Sequence, residues 1–285
     1  MTRPSRTGVV GAGLMGRDIA GLLANGGFPV TLVDVDADAL ASARDYHESD
    51  LREELEANGL LVEGRDANGA EGSSAIGAER GVGTGAAGGE GNGANGDPEH
   101  DGDPATRIEY ATDSAALAGC EFVVEAVPER LPLKREVLAD LEAVLAPDAV
   151  VGTNTSSLTP GDVAADLTHP ERVVLFHFAN PALERDLVEI VGDDATPAAL
   201  ETARTVAEAI DRYPIELGAE YRANCLSRLS ASIKCAGTWE LLVADAAAID
   251  RGARNLGFER GPIEFVDLVG IDVHLATVDN LAGVY

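Results

Sequence analysis

The stretch "TGVVGAGLMGRDIAGLLANGGFPVTLVDV" at residues 7–35 contains a complete strand–helix–strand unit. A short apolar strand leads into Gly11, Gly13 and Gly16, and the apolar residues that follow recur every three to four positions, as in a helix. The tripeptide "NGG" ends this helix, and "PVTLVDV" predicts the second strand. Two strands joined through a glycine turn and a helix predict a parallel sheet of the dinucleotide-binding kind.

The three glycines have separate physical roles in such a turn. Gly11 makes the tight turn, Gly13 lets the backbone approach a pyrophosphate, and Gly16 lets the helix pack closely on the strand. The helix N-terminus presents free N–H groups to the phosphates. Asp34 ends the second strand and is placed to accept hydrogen bonds from the ribose hydroxyls, which favours NAD over NADP. The residues of this unit expected to contact NAD are Gly11, Gly13, Leu14, Met15, Gly16 and Asp34.

The charge of the chain argues against two classes of partner. Its 285 residues include 49 acidic and 21 basic side chains, so the formal net charge is −28. Such a surface repels nucleic acids and anionic membranes, and we expect neither as a partner. Only Lys134 and Lys234 are lysines. An acid-rich, lysine-poor surface is expected of a protein adapted to high salt, where the salt screens the self-repulsion.

The cysteines and the apolar runs predict a cytoplasmic protein without a bound metal. Cys120, Cys225 and Cys235 are odd in number and unevenly spaced, which argues against a disulfide framework and against a zinc site. No apolar run approaches the ~18 residues of a membrane span. The first residues also lack the apolar segment of a signal peptide.

The rest of the chain alternates strands and helices before it becomes mostly helical. An amphipathic helix is predicted from about Asp38 to Asn58. Residues 64–105 form a glycine-rich insert for which we expect disorder, because it has too few apolar residues to offset its ordering entropy. We therefore predict an α/β fold, with a Rossmann-type parallel-sheet domain at 1–197 and a smaller all-helical domain for substrate binding and dimerisation at 198–285.

The run "VVLFHFANP" places His177 in an apolar strand, where titratable side chains are uncommon. A satisfied core histidine is the commoner explanation of such a residue. Glu189 lies in the next apolar run, "LVEIV", where an unpaired carboxylate would be costly. Pairing resolves both problems, because a carboxylate bonded to one ring nitrogen fixes the tautomer and leaves the other nitrogen as a general base. We expect this pair to remove an alcohol proton while a hydride passes to the nicotinamide.

Five motifs occur in order along the chain: "GAGLMG", "VVEAVPERLPLK", "NTSSL", "HFANP…LVEI" and "GPIEFVDLVG". As a set they resemble the L-3-hydroxyacyl-CoA dehydrogenases, and the resemblance covers nearly the whole chain outside the glycine-rich insert. It implies that the protein oxidises a 3-hydroxyacyl-CoA with NAD, in fatty-acid β-oxidation or short-chain acyl-CoA metabolism.

The resemblance also implies roles for individual residues. His177 matches the catalytic base, and Glu189 matches its orienting partner. Ser156 matches a serine that hydrogen-bonds the 3-oxygen of the substrate, although a turn or helix-capping role is the alternative for this residue. Asn224 matches an asparagine with a substrate-binding role. The positions that line the nicotinamide and substrate side of the cleft are matched by Glu125, Lys134 and Asn154.

Three departures from the family pattern affect these expectations. Asn224 is kept, but the residues before it are Ala219-Glu220-Tyr221 in place of Pro-Gly-Phe, and Cys225 replaces an arginine. The glycine-rich insert replaces much of a helical arm that helps to hold CoA in the family. The chain also stops at Tyr285, where the family continues through further helices.

Two other functions stay open on the sequence alone. A relative that acts on a free hydroxy acid or sugar acid, similar to L-gulonate 3-dehydrogenase, would use the same His–Glu pair without CoA contacts. An NAD-binding homologue without turnover would account for the altered motif around Asn224. Activity on acyl-CoA compared with free acid separates the first alternative, and NAD binding without turnover identifies the second.

The helical half predicts a homodimer. It carries more apolar residues than one narrow helical stripe can hold, and a monomer would expose a large apolar patch. The resemblance points the same way, because family members dimerise through this domain. The residues that carry this prediction are Leu226, Leu229, Ile233, Trp239, Leu241 and Leu242.

Overall fold

The computed structural model describes residues 3–61 and 102–282, so the predicted glycine-rich insert lies outside the described residues except for 102–105. The strands are β1 (Thr7–Val10), β2 (Val30–Val33), β3 (Ile108–Ala111), β4 (Phe122–Glu125), β5 (Val150–Thr153), β6 (Val173–Phe178), β7 (Leu187–Val191) and β8 (Tyr213–Glu216). The α-helices are α1 (Leu14–Asn25), α2 (Ala37–Ser49), α3 (Leu51–Ala57), α4 (Leu131–Val144), α5 (Pro160–Ala164), α6 (Pro197–Ala209), α7 (Cys225–Glu240), α8 (Ala246–Asn255), α9 (Pro262–Val269) and α10 (Ile271–Ala282).

These strands form one sheet in the order β3-β2-β1-β4-β5-β6-β7-β8. Neighbouring strands run parallel, except that β6 and β7 are antiparallel. The strand order reverses between β1 and β4, and open parallel sheets bind their ligands at such a switch point. The predicted Rossmann-type sheet is confirmed.

The sheet is buried on both faces because helices cover each of them. Along β4, Phe122 and Val124 face one core while Val123 faces the other. The first core contains side chains of α1, α2, α3 and α6, and the second contains side chains of α4 and α5. Strands buried in this way appear in the sequence as continuous apolar runs rather than alternating ones.

The helix predicted from about Asp38 to Asn58 is two helices in the structure. The chain bends at Asp50, whose φ of −110° departs from the helical value of about −63°. Aspartate is a poor former of helix interiors, because its side chain competes for nearby backbone groups. The apolar stripe nevertheless continues across the bend, since its members are all buried: Leu40, Ala43, His47, Leu51 and Leu55.

The sheet domain runs further along the chain than the predicted boundary at residue 197. Helix α6 packs on β6, β7 and β8, and β8 is part of the sheet. The sequence "YPIE" of β8 is short, contains a proline and has half-exposed or exposed side chains, as expected of an edge strand, and this concealed it from prediction. The helical part begins with α7, and α9 packs against α7, α8 and α10. No helix in the described ranges combines the length and apolar character that a bilayer crossing requires.

Candidate active site

A cavity of about 1370 Å³ lies between the carboxyl ends of the parallel strands and the helices α7, α9 and α10. Many of the residues predicted to form the site line it: Gly11, Gly13, Leu14, Met15, Asp34, Asn154, Ser156 and His177. The helical part contributes Leu226, Ser227, Ser230, Lys234, Phe265, Val269, Val273 and Thr277. The cavity therefore joins the glycine loop, the predicted base and the helical part of the chain.

The loop between β1 and α1 can be built only with glycine at two positions. Gly11 has φ +101°, and a Cβ there would lie 2.8 Å from the carbonyl oxygen of Ala126. A Cβ on Gly16 would lie 1.7 Å from the carbonyl oxygen of Gly11, so only glycine allows α1 to approach this closely. The first turn of α1 contains no acidic residue, so its free N–H groups can receive a phosphate.

Asp34 has more contacts than the sequence predicted. One carboxylate oxygen accepts a hydrogen bond from the Ala12 N–H at 2.7 Å, and the other accepts one from the Asp36 N–H at 2.9 Å. Asp34 thus holds the glycine loop against the end of β2. NAD fits these residues, because Gly13 has open space where a Cβ would be, the helix N-terminus suits a pyrophosphate, and Asp34 keeps acceptor capacity for a ribose.

The structure brings His177 and Glu189 together as predicted. The antiparallel register of β6 and β7 places them opposite each other, and Nδ1 of His177 donates to Oε2 of Glu189 at 2.8 Å. Oε1 of Glu189 accepts a hydrogen bond from the backbone N–H of Leu226 at 2.9 Å, in the first turn of α7. The carboxylate is fully buried and doubly bonded, so Nδ1 is the donor and Nε2 is the nitrogen that can accept a proton.

Glu129 organises the loop after β5, and sequence reasoning missed it. Its Oε1 accepts hydrogen bonds from the Thr155 hydroxyl at 2.6 Å and from the Ser157 hydroxyl at 2.7 Å. The Ser156 hydroxyl is 3.5 Å from the same oxygen. Burial tends to raise the pKa of Glu129, but the charge of Lys134 and these hydrogen bonds outweigh it and lower the pKa. The only signal in the sequence was an acid directly after the "AVP" that follows β4.

Glu125 and Lys134 are not on the cavity lining, in contrast to the expectation from the resemblance. Nζ of Lys134 donates to the Glu125 carboxylate at 2.8 and 3.2 Å, and both side chains are almost completely buried. The Thr153 hydroxyl donates to the other side of the same carboxylate at 2.7 Å. Burial tends to lower the pKa of Lys134, but the charges of Glu125 and Glu129 outweigh it and raise the pKa. The ion pair therefore lies behind the cavity wall and supports the loop after β4, where Lys134 also binds the carbonyl of Val127.

The two predicted asparagines also bond to protein groups. Oδ1 of Asn154, which lines the cavity, accepts a hydrogen bond from the Phe178 N–H at 2.9 Å. Asn224 is buried outside the lining, and its Nδ2 donates to the Thr155 carbonyl at 3.0 Å. It precedes the first residue of α7, so its side chain reaches the neighbouring loop instead of the cavity. Asn224 therefore does not line the cavity in which we expect the substrate, whereas Leu226 and Ser227 do.

Comparison with known proteins identifies the family. The model of the "3-hydroxyacyl-CoA dehydrogenase, NAD binding domain" matches residues 6–75 and 90–220. The chain belongs to the 3-hydroxyacyl-CoA dehydrogenase family. The model of the family's C-terminal domain matches residues 235–285. The resemblance inferred from the motifs is thus confirmed, and the sheet domain is the family's NAD-binding domain.

Individual members of the family show how much of each protein the chain matches. It is 30% identical over 278 residues to the 3-hydroxyadipyl-CoA dehydrogenase of Escherichia coli K12, a match that covers 94% of this chain but 50% of that protein. It is 28% identical to the 3-hydroxybutyryl-CoA dehydrogenase of Bradyrhizobium diazoefficiens, covering 97% of this chain and 83% of that protein. The crystal structure of M. tuberculosis FadB2 aligns with a TM-score of 0.80 at 25% identity, covering 100% and 89%. The chain therefore spans half the length of the first relative and most of the other two.

Proposed function

We propose that this protein oxidises an L-3-hydroxyacyl-CoA to the 3-oxoacyl-CoA, with NAD as the hydride acceptor. The observation that carries the proposal is the His177–Glu189 pair, which opens on the same cavity as the glycine loop and Asp34. The names of the two curated relatives, which are dehydrogenases of 3-hydroxyadipyl-CoA and 3-hydroxybutyryl-CoA, support the same reaction class.

In this proposal, each of the cavity residues has a separate role in the reaction. NAD, when bound, accepts the hydride that leaves C3 of the substrate. Nε2 of His177 accepts the proton of the 3-hydroxyl, and Glu189 stabilises the positive charge that the ring acquires. Ser156 donates its hydroxyl to the 3-oxygen as this becomes a carbonyl oxygen. Its 3.5 Å contact with Glu129 is weak enough to be exchanged for the substrate.

Asn224 takes part in this proposal as a positioning residue. Its amide holds the carbonyl of Thr155, the residue directly before Ser156. We assign the same kind of role to Glu125 and Lys134, which support the loop after β4.

The formation of NADH from L-3-hydroxybutyryl-CoA in molar salt tests the proposed reaction. We expect turnover of the L-enantiomer, with the D-enantiomer as a matched control that presents the same CoA group. A protein that binds NAD but turns over no 3-hydroxyacyl-CoA would contradict the proposal.

We also infer that the protein acts as a homodimer in the cytoplasm. The support for the dimer is a set of apolar side chains on and after α7 that the single chain leaves exposed: Leu229, Ile233, Trp239, Leu241 and Leu242. The support for the compartment is that Cys120, Cys225 and Cys235 are all unpaired, as is usual in reducing surroundings.

A further inference from the structure

Lys234 is a buried cation on the wall of the cavity. It lies on α7, and only 4% of its surface is exposed. Its Nζ is 5.1 Å from the ring centroid of Phe265 on α9. Within residues 3–61 and 102–282, no carboxylate forms an ion pair or hydrogen bond with it.

The other lysine of the chain shows what such a group ordinarily requires. Lys134 is also buried, and it is bonded to Glu125 and lies 3.4 Å from Glu129. The chain has 49 acidic residues. Two of them bind Lys134, whereas no acidic residue in the described ranges binds Lys234. Lys234 is not an ordinary surface charge, because its side chain is almost completely buried and lines the cavity.

The surroundings of Lys234 do little to stabilise its charge. Burial lowers its pKa, as expected for an ammonium group removed from water. Burial lowers the pKa of His274 on α10, and the charge of Lys234 lowers it further. The contact with the Phe265 ring favours the ammonium group, and so does the neighbouring Cys235, but burial outweighs Cys235 and ring contacts are modest. An anion entering the cavity would remove most of this unfavourable energy.

The position of Lys234 along α7 relates it to the proposed base. The N–H of Leu226, which binds Glu189, belongs to the same helix eight residues earlier. Eight residues of α-helix correspond to about 12 Å along the axis. Long side chains on a helix generally point back towards its N-terminus, which is the end of α7 that carries Leu226. The other side chains that α9 and α10 add to the cavity are mainly apolar, and they include Phe265, Val269 and Val273.

We propose that Lys234 binds a carboxylate at the far end of the acyl chain, so that the preferred substrates are CoA esters of short 3-hydroxy dicarboxylic acids. This inference rests on the proposed function, because it concerns the same cavity and the same reaction. A terminal carboxylate completes an ion pair with Lys234, whereas a terminal methyl group leaves the buried cation without a partner. Selectivity therefore arises both from attraction of the charged chain and from rejection of the uncharged one.

The test compares two substrates of equal chain length. 3-Hydroxyadipyl-CoA ends in a carboxylate, and 3-hydroxyhexanoyl-CoA ends in a methyl group. We expect the wild-type kcat/KM to be higher for the dicarboxylic substrate by about 10- to 100-fold, the usual effect of a charge-assisted hydrogen bond. Lys234→Met should lower kcat/KM for the charged substrate and raise it for the uncharged one, whereas Lys234→Arg should keep the preference. Arg251→Met removes an exposed cation from α8 and should change neither value.

Two kinetic results would overturn the inference. The first is an equal kcat/KM for the two substrates in the wild-type protein. The second is an equal loss for both in Lys234→Met, which would place the lysine at the CoA group that both share.

A binding measurement separates this inference from the proposed reaction. Adipyl-CoA and hexanoyl-CoA lack the 3-hydroxyl, so calorimetric titration reports their affinity without turnover. Tighter binding of adipyl-CoA that is lost in Lys234→Met supports the carboxylate site even if no substrate is oxidised. Equal binding by the wild-type protein excludes the site even if 3-hydroxybutyryl-CoA is oxidised.

Discussion

Asp34 has two tasks that depend on one carboxylate. It accepts hydrogen bonds from Ala12 and Asp36, and it is placed to accept others from the ribose of NAD. We expect Asp34→Ala to weaken NAD binding by about 10- to 100-fold and to reduce the preference for NAD over NADP. Titration of both cofactors measures this, and Asp38→Ala, an exposed acid on α2, is the control. Equal or better kcat/KM with NADP in the wild-type protein would show that Asp34 does not select the cofactor.

His177 should be needed for turnover and not for cofactor binding. We expect His177→Ala to lower kcat by about 10²–10⁴-fold, the usual contribution of a general base, with little change in NAD affinity. Glu189→Gln keeps an acceptor oxygen but loses the charge that stabilises the protonated ring, so it should also lower kcat. Steady-state kinetics and NAD titration give both quantities. His169→Ala is the control, because His169 is an exposed histidine outside the cavity. Near-normal turnover by His177→Ala would exclude the mechanism.

Asp18 predicts a pH-dependent stability that is separate from catalysis. Burial raises its pKa to about 6, although the adjacent Arg17 acts in the opposite direction. Because the folded pKa lies above the unfolded value of 3.8, Asp18 favours folding at pH below about 4, and this contribution is lost as the pH rises through 6. Asp18→Asn should therefore increase the free energy of unfolding at pH 8 by about 1–3 kcal/mol and should have little effect at pH 4. Urea unfolding at the two pH values checks this, and an equal change at both would contradict it.

At the scale of elements, the buried charges join the loops after β4 and β5. Lys134 on α4 bonds to Glu125 at the end of β4, and Glu129 holds the hydroxyls of Thr155 and Ser157 after β5. This arrangement keeps Ser156 at the cavity wall. The position of Ser156 therefore depends on residues that the substrate does not touch.

Removal of the cation from this network should destabilise the whole domain. Lys134→Met leaves the buried Glu125 and the partly buried Glu129 without their positive partner, and the loss of a buried partner costs about 3–5 kcal/mol in free energy of unfolding. Urea unfolding measures it, and Arg52→Met, which breaks the exposed pair with Glu56, should change stability by less than about 1 kcal/mol. A comparably small effect of Lys134→Met would mean that the network contributes little.

Helices and strands differed in how well the sequence predicted them. The apolar strands of the sheet are short and bounded by turns, so β1, β2 and β6 were recognised from their residues alone. The edge strand β8 was missed because its pairing with β7, rather than its composition, makes it a strand. The bend at Asp50 was missed because the apolar stripe continues through it.

At the scale of the whole molecule, the predicted apolar surface is present. Trp239 and Leu242 are 73% and 77% exposed, and Leu229 is also exposed. Leu226, which belonged to the predicted set, lines the cavity instead. The remaining side chains form a surface that an isolated chain would leave in contact with water.

We expect this surface to form a homodimer that persists in molar salt, because salt screens the acidic surface without weakening apolar burial. Trp239→Glu should shift the protein to monomers, whereas Tyr213→Glu, an exposed aromatic residue on β8, should not. Light scattering at micromolar concentration and high salt measures the mass. A monodisperse wild-type monomer would exclude the dimer.

The sequence by itself determined the nucleotide-binding sheet, the glycine loop and the His177–Glu189 pair. These features are local patterns, or they combine two neighbouring strands whose buried polar residues can satisfy each other. The tertiary structure decided the partners of Glu129, the burial of Lys134 and Glu125, and the position of Asn224 outside the cavity. It also placed Lys234 on the cavity wall, where no carboxylate among the described residues forms an ion pair with it. The physical reason is that each of these contacts joins residues from different elements, and their geometry exists only when the strands, loops and helix α7 are packed together.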